Sequence, residues 1–305
     1  MQYKVIVIGT TDFTYQLLKR IHKKIVPIDL IVTISNDVTK KNHISNYTSL
    51  DKYAWENKIE LFKAPSYYLN DDVSCEFFRN NSFDLGISAG WQRKIPPNIL
   101  SAVKYGIYGF HGSCGYLPYG RGRSPFNWSI INGDNRIIQN LFKYDDNFDS
   151  PNIFSKKMFE INHHDTIQTI QFKSIIIAVR QIKELYTAYQ EEYIPINTES
   201  YDFDLWYEKR TPSSGKINFH DKTREIYNLI RATTRPFPGA FAYTAKGKVC
   251  IWKAHPFDSI IDFSKYQPGQ IIDVINNMPI VRTIDGSLII KEYEGALLST
   301  RDILY

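Results

Sequence analysis

Residues 3–9 read YKVIVIG, and Val5 to Ile8 are four apolar residues in a row. A strand with one face in water alternates apolar and polar residues. A strand without that alternation must be buried on both faces, which requires helices above and below a sheet. The same logic holds further on. FTYQLLKRIHKKI (13–25) has helical spacing and DLIVTIS (29–35) reads as a strand. LDKYAWENK (50–58) is predicted as a helix, IELFKAP (59–65) as a strand and LNDDVSCEFFRNNS (69–82) as a helix. FDLGISAG (83–90) is another buried strand, PPNILSAV (96–103) a short helix opened by proline, and GIYGFHG (106–112) a further strand. This alternation predicts an α/β fold with a doubly wound, mostly parallel sheet. Between 36 and 49 the polar run NDVTKKNHISNYTS is expected to be a loop.

The pattern changes after Asp165. Residues 165–190 read as one long amphipathic helix, with Asp165 as the expected cap. From about Tyr201 the apolar runs become short and are separated by turn residues such as Lys246-Gly247 and Asp285-Gly286. A smaller β-rich domain resembling an open barrel is expected there. The expected organisation is a catalytic domain over 1–190, a linker over 191–204 and a β domain over 205–305.

Several function classes are excluded or made less attractive. The first turn, GTTDF, lacks the glycine pattern of a dinucleotide fingerprint. No apolar run approaches the ~18 residues of a membrane span, and no targeting segment is read at the start. Three scattered cysteines fit a reducing compartment, so a cytoplasmic protein is expected. His163-His164 is not a metal pair, since adjacent strand residues face opposite ways, and no zinc spacing occurs; no metal is expected. A net charge of +5 suits a small anionic ligand without requiring one.

The most specific stretch is HGS at 111–113, followed by LPYGRGRSPFNWSIINGD (117–134) and DDNFDSPNI (145–153). Together these resemble the catalytic domain of formyltransferases that depend on 10-formyltetrahydrofolate. Within that family the stretch is closest to nucleotide-sugar N-formyltransferases of the kind acting on UDP-4-amino-4-deoxy-L-arabinose. The family pattern is Asn-x-His-x-Ser, Leu-Pro, Arg-Gly, a helix ending in Gly-Asp or Gly-Glu, and a later Asp. Here these are His111, Ser113, Leu117-Pro118, Arg121-Gly122, Gly133-Asp134 and Asp149. The distance from His to Asp is slightly longer than usual, with the excess inside SCGYLP. ISAGWQRKIPPNIL (87–100) occupies the family's folate segment, and residues 217–243 look like the start of its C-terminal domain, so the resemblance covers nearly the whole chain.

The resemblance implies 10-formyltetrahydrofolate as co-substrate, an amine acceptor and no metal. His111 would donate to the developing oxyanion and protonate the departing N10, and Asp149 would orient the imidazole. Trp91, Arg93, Lys94, Ile95, Ser113, Arg123, Asp145, Asp146, Asn147 and Phe148 fall in segments that line the folate in relatives. One departure matters: the family's Asn two residues before the histidine, an oxyanion donor, is Gly109 here. Losing such a donor costs roughly 10²–10³ in rate. Asn140, in the strand RIIQNLFKY, is the expected substitute, and Asn147 is another.

The expected acceptor is a nucleotide-linked amino sugar, with a dTDP-4-amino-4,6-dideoxyhexose for surface polysaccharide as the sharpest form. A homodimer without membrane or nucleic-acid partners is expected. A methionyl-tRNA formyltransferase is the alternative, but 36–49 holds only two lysines for a phosphate-dominated contact. Loss of Asn at 109 also leaves open a non-catalytic binding homologue. Turnover is expected to survive exhaustive dialysis against a chelator. Loss of turnover restored by divalent ions would contradict the metal-free expectation.

Overall fold

The computed structural model describes residues 1–42, 44, 46–146, 152–198 and 205–305. It divides into two compact units. One comprises Met1–Arg121, Ile138–Phe159 and Gln171–Trp206; the other comprises Gly122–Ile137, Glu160–Ile170 and Tyr207–Tyr305. The elements run β1 (Gln2–Ile8), α1 (Asp12–Ile21), β2 (Leu30–Ile34), α2 (Asn36–Asn42), α3 (Asp51–Asn57), β3 (Glu60–Ala64), α4 (Asp72–Asn80), β4 (Ser82–Ser88), α5 (Pro97–Leu100) and β5 (Ile107–Ser113). Then come β6 (Arg121–Gly122), α6 (Pro125–Ile131), β7 (Arg136–Lys143), β8 (Asn152–Glu160), α7 (Ile167–Gln190), β9 (Asn197–Thr198) and β10 (Trp206–Tyr207). The chain closes with α8 (Thr223–Thr233), β11 (Ala240–Thr244), β12 (Gly247–Pro256), β13 (Ile271–Ile275), β14 (Met278–Arg282) and β15 (Ser287–Gly295).

The large sheet has the order β3-β2-β1-β4-β5-β7-β8-β9. Strands β1 to β5 are parallel to their neighbours, whereas β7 runs antiparallel to β5. The continuous apolar run of β1 has the expected cause. Val5 and Val7 pack into one core layer, with Leu17, Leu18 and Ile21 of α1 and Ala178 and Ile182 of α7. Ile6 and Ile8 pack into the layer on the opposite face, with Phe78 of α4 and Ile99 of α5. The second unit holds an antiparallel sheet in the order β11-β12-β15-β14-β13, and Ile226, Tyr227 and Ile230 of α8 pack into its core. This sheet is open and does not close into a barrel.

Two local expectations are corrected. The loop expected at 36–49 begins with helix α2. The Ser35 hydroxyl accepts from the Val38 backbone N–H at 3.3 Å, and Thr39 Oγ1 donates to the Ser35 carbonyl at 2.9 Å. Asp37 in the first turn and Lys40 and Lys41 in the last match the helix dipole. A polar sequence therefore forms a helix from its ends rather than from an apolar face. At α7 the cap is Thr166 rather than Asp165. Thr166 and Thr169 exchange backbone-to-hydroxyl bonds, while Asp165 Oδ2 accepts from the Asn162 N–H at 2.7 Å and anchors the preceding turn. Residues 199–204 of the expected linker lie outside the described residues.

One buried polar cluster fixes β7. Gln139 Nε2 donates to the Ser174 carbonyl and to Gln181 Oε1, both at 3.1 Å, and Ser174 Oγ donates to Gln139 Oε1 at 2.5 Å. Gln181 Nε2 donates to the carbonyls of Gln139 and Ser155, each at 3.0 Å. The cluster thus ties α7 to both β7 and β8. In Gln181→Leu these groups lose their partners in a dry interior, where each orphan costs about 1–3 kcal/mol. A urea titration should show a lower midpoint with an unchanged slope.

Candidate active site

Strand β5 carries Gly109, His111 and Ser113 at alternate positions, so all three project to one face. Its parallel partner β4 ends at Ser88, opposite Gly109, and β1 ends at Ile8, opposite Ser88. His111 lies one alternate position beyond, at the carboxyl edge of the parallel strands. That edge is where ligands enter a doubly wound sheet. The antiparallel partner β7 continues past the edge, setting Asn140 directly opposite His111 and Ile138 opposite Ser113. Paired residues in an antiparallel ladder share a face, so Asn140 stands beside the imidazole.

His111 is only 7% exposed, and its Nε2 lies 2.7 Å from the Gly120 carbonyl. A carbonyl offers no hydrogen, so Nε2 carries one in this arrangement. Ser113 positions the loop that supplies that carbonyl. It is fully buried, and its hydroxyl faces the Gly115 carbonyl at 3.1 Å and the Tyr119 carbonyl at 2.9 Å. On the other face of β5, burial pushes the Tyr108 phenol up to about 12, so it stays a neutral hydroxyl at physiological pH.

Asn140 is fully buried. Its Nδ2 is directed at the His111 and Ile138 carbonyls, both at 3.4 Å, and its Oδ1 has no partner among the described residues. Asp145 follows β7, and its Oδ2 accepts from Asn152 Nδ2 at 2.8 Å. Asp146 is exposed. Asn147, Phe148 and Asp149 lie outside the described residues.

In the segment before His111, Trp91 and Ile95 are core residues, 7% and 2% exposed. The Trp91 ring meets Tyr67 edge-on at 4.7 Å, and its indole N–H is buried without a partner among the described residues. Arg93 lies over the rings of Tyr67 and Tyr68 at 4.9 and 5.4 Å, and Lys94 is exposed. Arg123 belongs to the other compact unit, where its backbone N–H donates to the Tyr207 carbonyl at 2.9 Å.

One residue escaped the sequence reading. A Cβ built on Gly109 would overlap the hydroxyl and ring carbons of Tyr144. The tyrosine follows β7, its backbone N–H donates to the Ile107 carbonyl at 2.8 Å, and its ring lies 5.1 Å from that of Phe142. A glycine inside a strand is a signal of close approach by another group. The sequence carried that signal at 109 without saying which group approaches. Among the described residues, no group of three or more His, Cys, Asp or Glu is placed to hold a metal ion.

Residues 1–175 match the family described as formyl transferase, and 209–303 match the formyl transferase C-terminal domain. The bifunctional polymyxin resistance protein ArnA of Wigglesworthia glossinidia brevipalpis is 31% identical over 230 residues, covering 74% of this chain and 34% of that protein. The chain thus spans about a third of the length of this curated relative. WlaRD, a sugar 3N-formyl transferase solved in the presence of dTDP and 5-N-formyl-THF, has a similar fold. Its TM-score is 0.67 at 19% identity, with 94% of this chain and 97% of that one covered. The N-formyltransferase of Helicobacter canadensis, solved with folinic acid and dTDP-3-aminofucose, also gives a TM-score of 0.67 at 19% identity, with 94% and 98% covered.

Ser113→Ala removes the hydroxyl that holds two loop carbonyls, and it should lower stability by about 1 kcal/mol. Amide exchange confined to 114–120 should quicken. Unchanged exchange there would show that the loop does not depend on Ser113.

Proposed function

The chain belongs to the formyl transferase family, and from that premise we propose that it moves a formyl group from 10-formyltetrahydrofolate to the amine of a nucleotide-linked amino sugar. The observation that carries the reading is the placement of His111. Its imidazole stands at the carboxyl edge of the parallel strands, held by the Gly120 carbonyl and flanked by Asn140. The acceptor amine attacks the formyl carbon as the C=O π pair moves to oxygen. The tetrahedral adduct collapses when the C–N10 bond breaks. The amine loses one proton and N10 gains one, so the products are a formamide and tetrahydrofolate. His111 delivers the proton to N10, and Asp149 orients the ring and receives the amine's proton through water. Trp91, Arg93 and the segment from Asp145 to Phe148 form the folate side of the site.

A sugar acceptor is favoured over tRNA by two features. Residues 36–49 hold only two lysines, Lys40 and Lys41, and no arginine, too few for a large phosphate contact. Both structural relatives described above were solved with dTDP or a dTDP-sugar. A dTDP-4-amino-4,6-dideoxyhexose destined for surface polysaccharide is the specific substrate proposed, acted on in the cytoplasm by a homodimer. Among the described residues no helix is long and apolar enough to cross a membrane.

Tetrahydrofolate release should be assayed with 3-amino and 4-amino dTDP-sugars, UDP-4-amino-4-deoxy-L-arabinose, methionyl-tRNA and water. Release that depends on a nucleotide sugar is the expected result, and release that depends on tRNA would replace this reading. His111→Asn and Asp149→Asn should each lower turnover by about 10²–10⁴ while leaving the melting temperature near that of the parent. Near-normal turnover in either variant removes that residue from the chemistry.

A further inference from the structure

Resting on the proposed formyl transfer, the geometry points to Tyr144 as a catalytic residue: its phenolic O–H is the donor that meets the oxyanion of the tetrahedral adduct. Charge develops on the formyl oxygen during attack. A donor fixed beforehand at about 2.7–3.1 Å from that position supplies a large share of the catalysis in acyl transfer. The site must therefore hold such a donor beside His111.

Gly109 and His111 occupy alternate positions of β5, so their Cβ directions are parallel and about 6.6 Å apart along the strand. The volume that a side chain at 109 would fill is taken by the Tyr144 hydroxyl and the adjoining ring carbons. The phenol thus presents its oxygen on the catalytic face, where an amide at position 109 would otherwise stand. The glycine is the complement of the tyrosine, because any Cβ at 109 would displace it. The ring is held by its contact with Phe142, and the backbone of Tyr144 is fixed by its bond to Ile107.

Asn140 is the competing donor, and its geometry favours it less. Its Nδ2 is turned to two main-chain carbonyls, and the atom left without a partner among the described residues is Oδ1, an acceptor. An acceptor opposite His111 repels an oxyanion. Tyr144 donates a hydrogen bond without giving up its proton, so the proton balance of the transfer is unchanged.

The test compares wild type, Tyr144→Phe, Asn140→Ala, Gly109→Asn and the pair Gly109→Asn/Tyr144→Ala, with Tyr144→Ala as control. Tetrahydrofolate release is measured with the acceptor the wild type prefers and with water alone, and folate affinity by fluorescence. Tyr144→Phe keeps the ring and its packing, and should lower turnover by about 10²–10³ in both assays with folate affinity within about twofold. Gly109→Asn alone should be impaired by overlap with the ring. The pair should recover at least about tenfold over either single variant, because the amide then takes the vacated space. Turnover of Tyr144→Phe within about threefold of wild type overturns the proposal, and a severe loss in Asn140→Ala alongside it assigns the role to Asn140. A wild type that uses tRNA overturns the sugar reading, and Tyr144→Phe is then judged with that acceptor. Absence of release with every acceptor, water included, overturns both readings.

Discussion

The antiparallel pairing of β7 with β5 is the constraint on which the site depends. The parallel strands stop near the register of Ile8 and Ser88, so among the described residues the β4–β5 ladder ends at Gly109. Without β7, the backbone groups of His111 to Ser113 would lose their ladder at the carboxyl edge of the parallel strands. The pairing supplies hydrogen bonds to the overhanging segment. It also decides which side chains meet: Asn140 with His111, Phe142 with Gly109 and, just past the strand, Tyr144 in the space above Gly109. A register shift of one residue would turn Asn140 away from the imidazole and bring Gln139 to its side.

That register is held from behind. Gln139 points away from the face that carries His111 and Asn140, into the cluster with Ser174 and Gln181, which bonds to main-chain carbonyls of β7 and β8. Buried amides are satisfied in few arrangements, so such a cluster rejects alternative registers that apolar packing would tolerate. The loop on the other side of His111 is fixed in a comparable way. The Ser113 hydroxyl holds the Gly115 and Tyr119 carbonyls, and the loop then returns the Gly120 carbonyl to the imidazole. The histidine is thus set by a rigid strand, and its ring by a loop that the same strand secures.

The segment before His111 is held on a different principle. Trp91 and Ile95 are part of the core and anchor the two ends of the segment between them. Arg93 is spread across Tyr67 and Tyr68, where cation–π attraction stabilises the side chain.

The local pattern of residues was enough to determine the layered fold. Apolar runs without alternation, separated by amphipathic segments, admit few solutions other than a sheet covered on both faces, and the open second sheet followed from short strands split by turn residues. The family was legible because the residues around His111 form a specific pattern. What the sequence left open are matters of pairing between distant segments. Helix α2 formed from a polar run because Ser35 and Thr39 bond to the backbone and the charged ends match the helix dipole, a balance that periodicity does not measure. Thr166 rather than Asp165 capped α7 because the carboxylate found a nearer N–H at Asn162. Gly109 announced a close approach, but only the antiparallel return of β7 decided that Tyr144 makes it. The identity of a residue fixes what it can donate or accept, whereas which groups meet depends on a register set across some thirty intervening positions by buried amides.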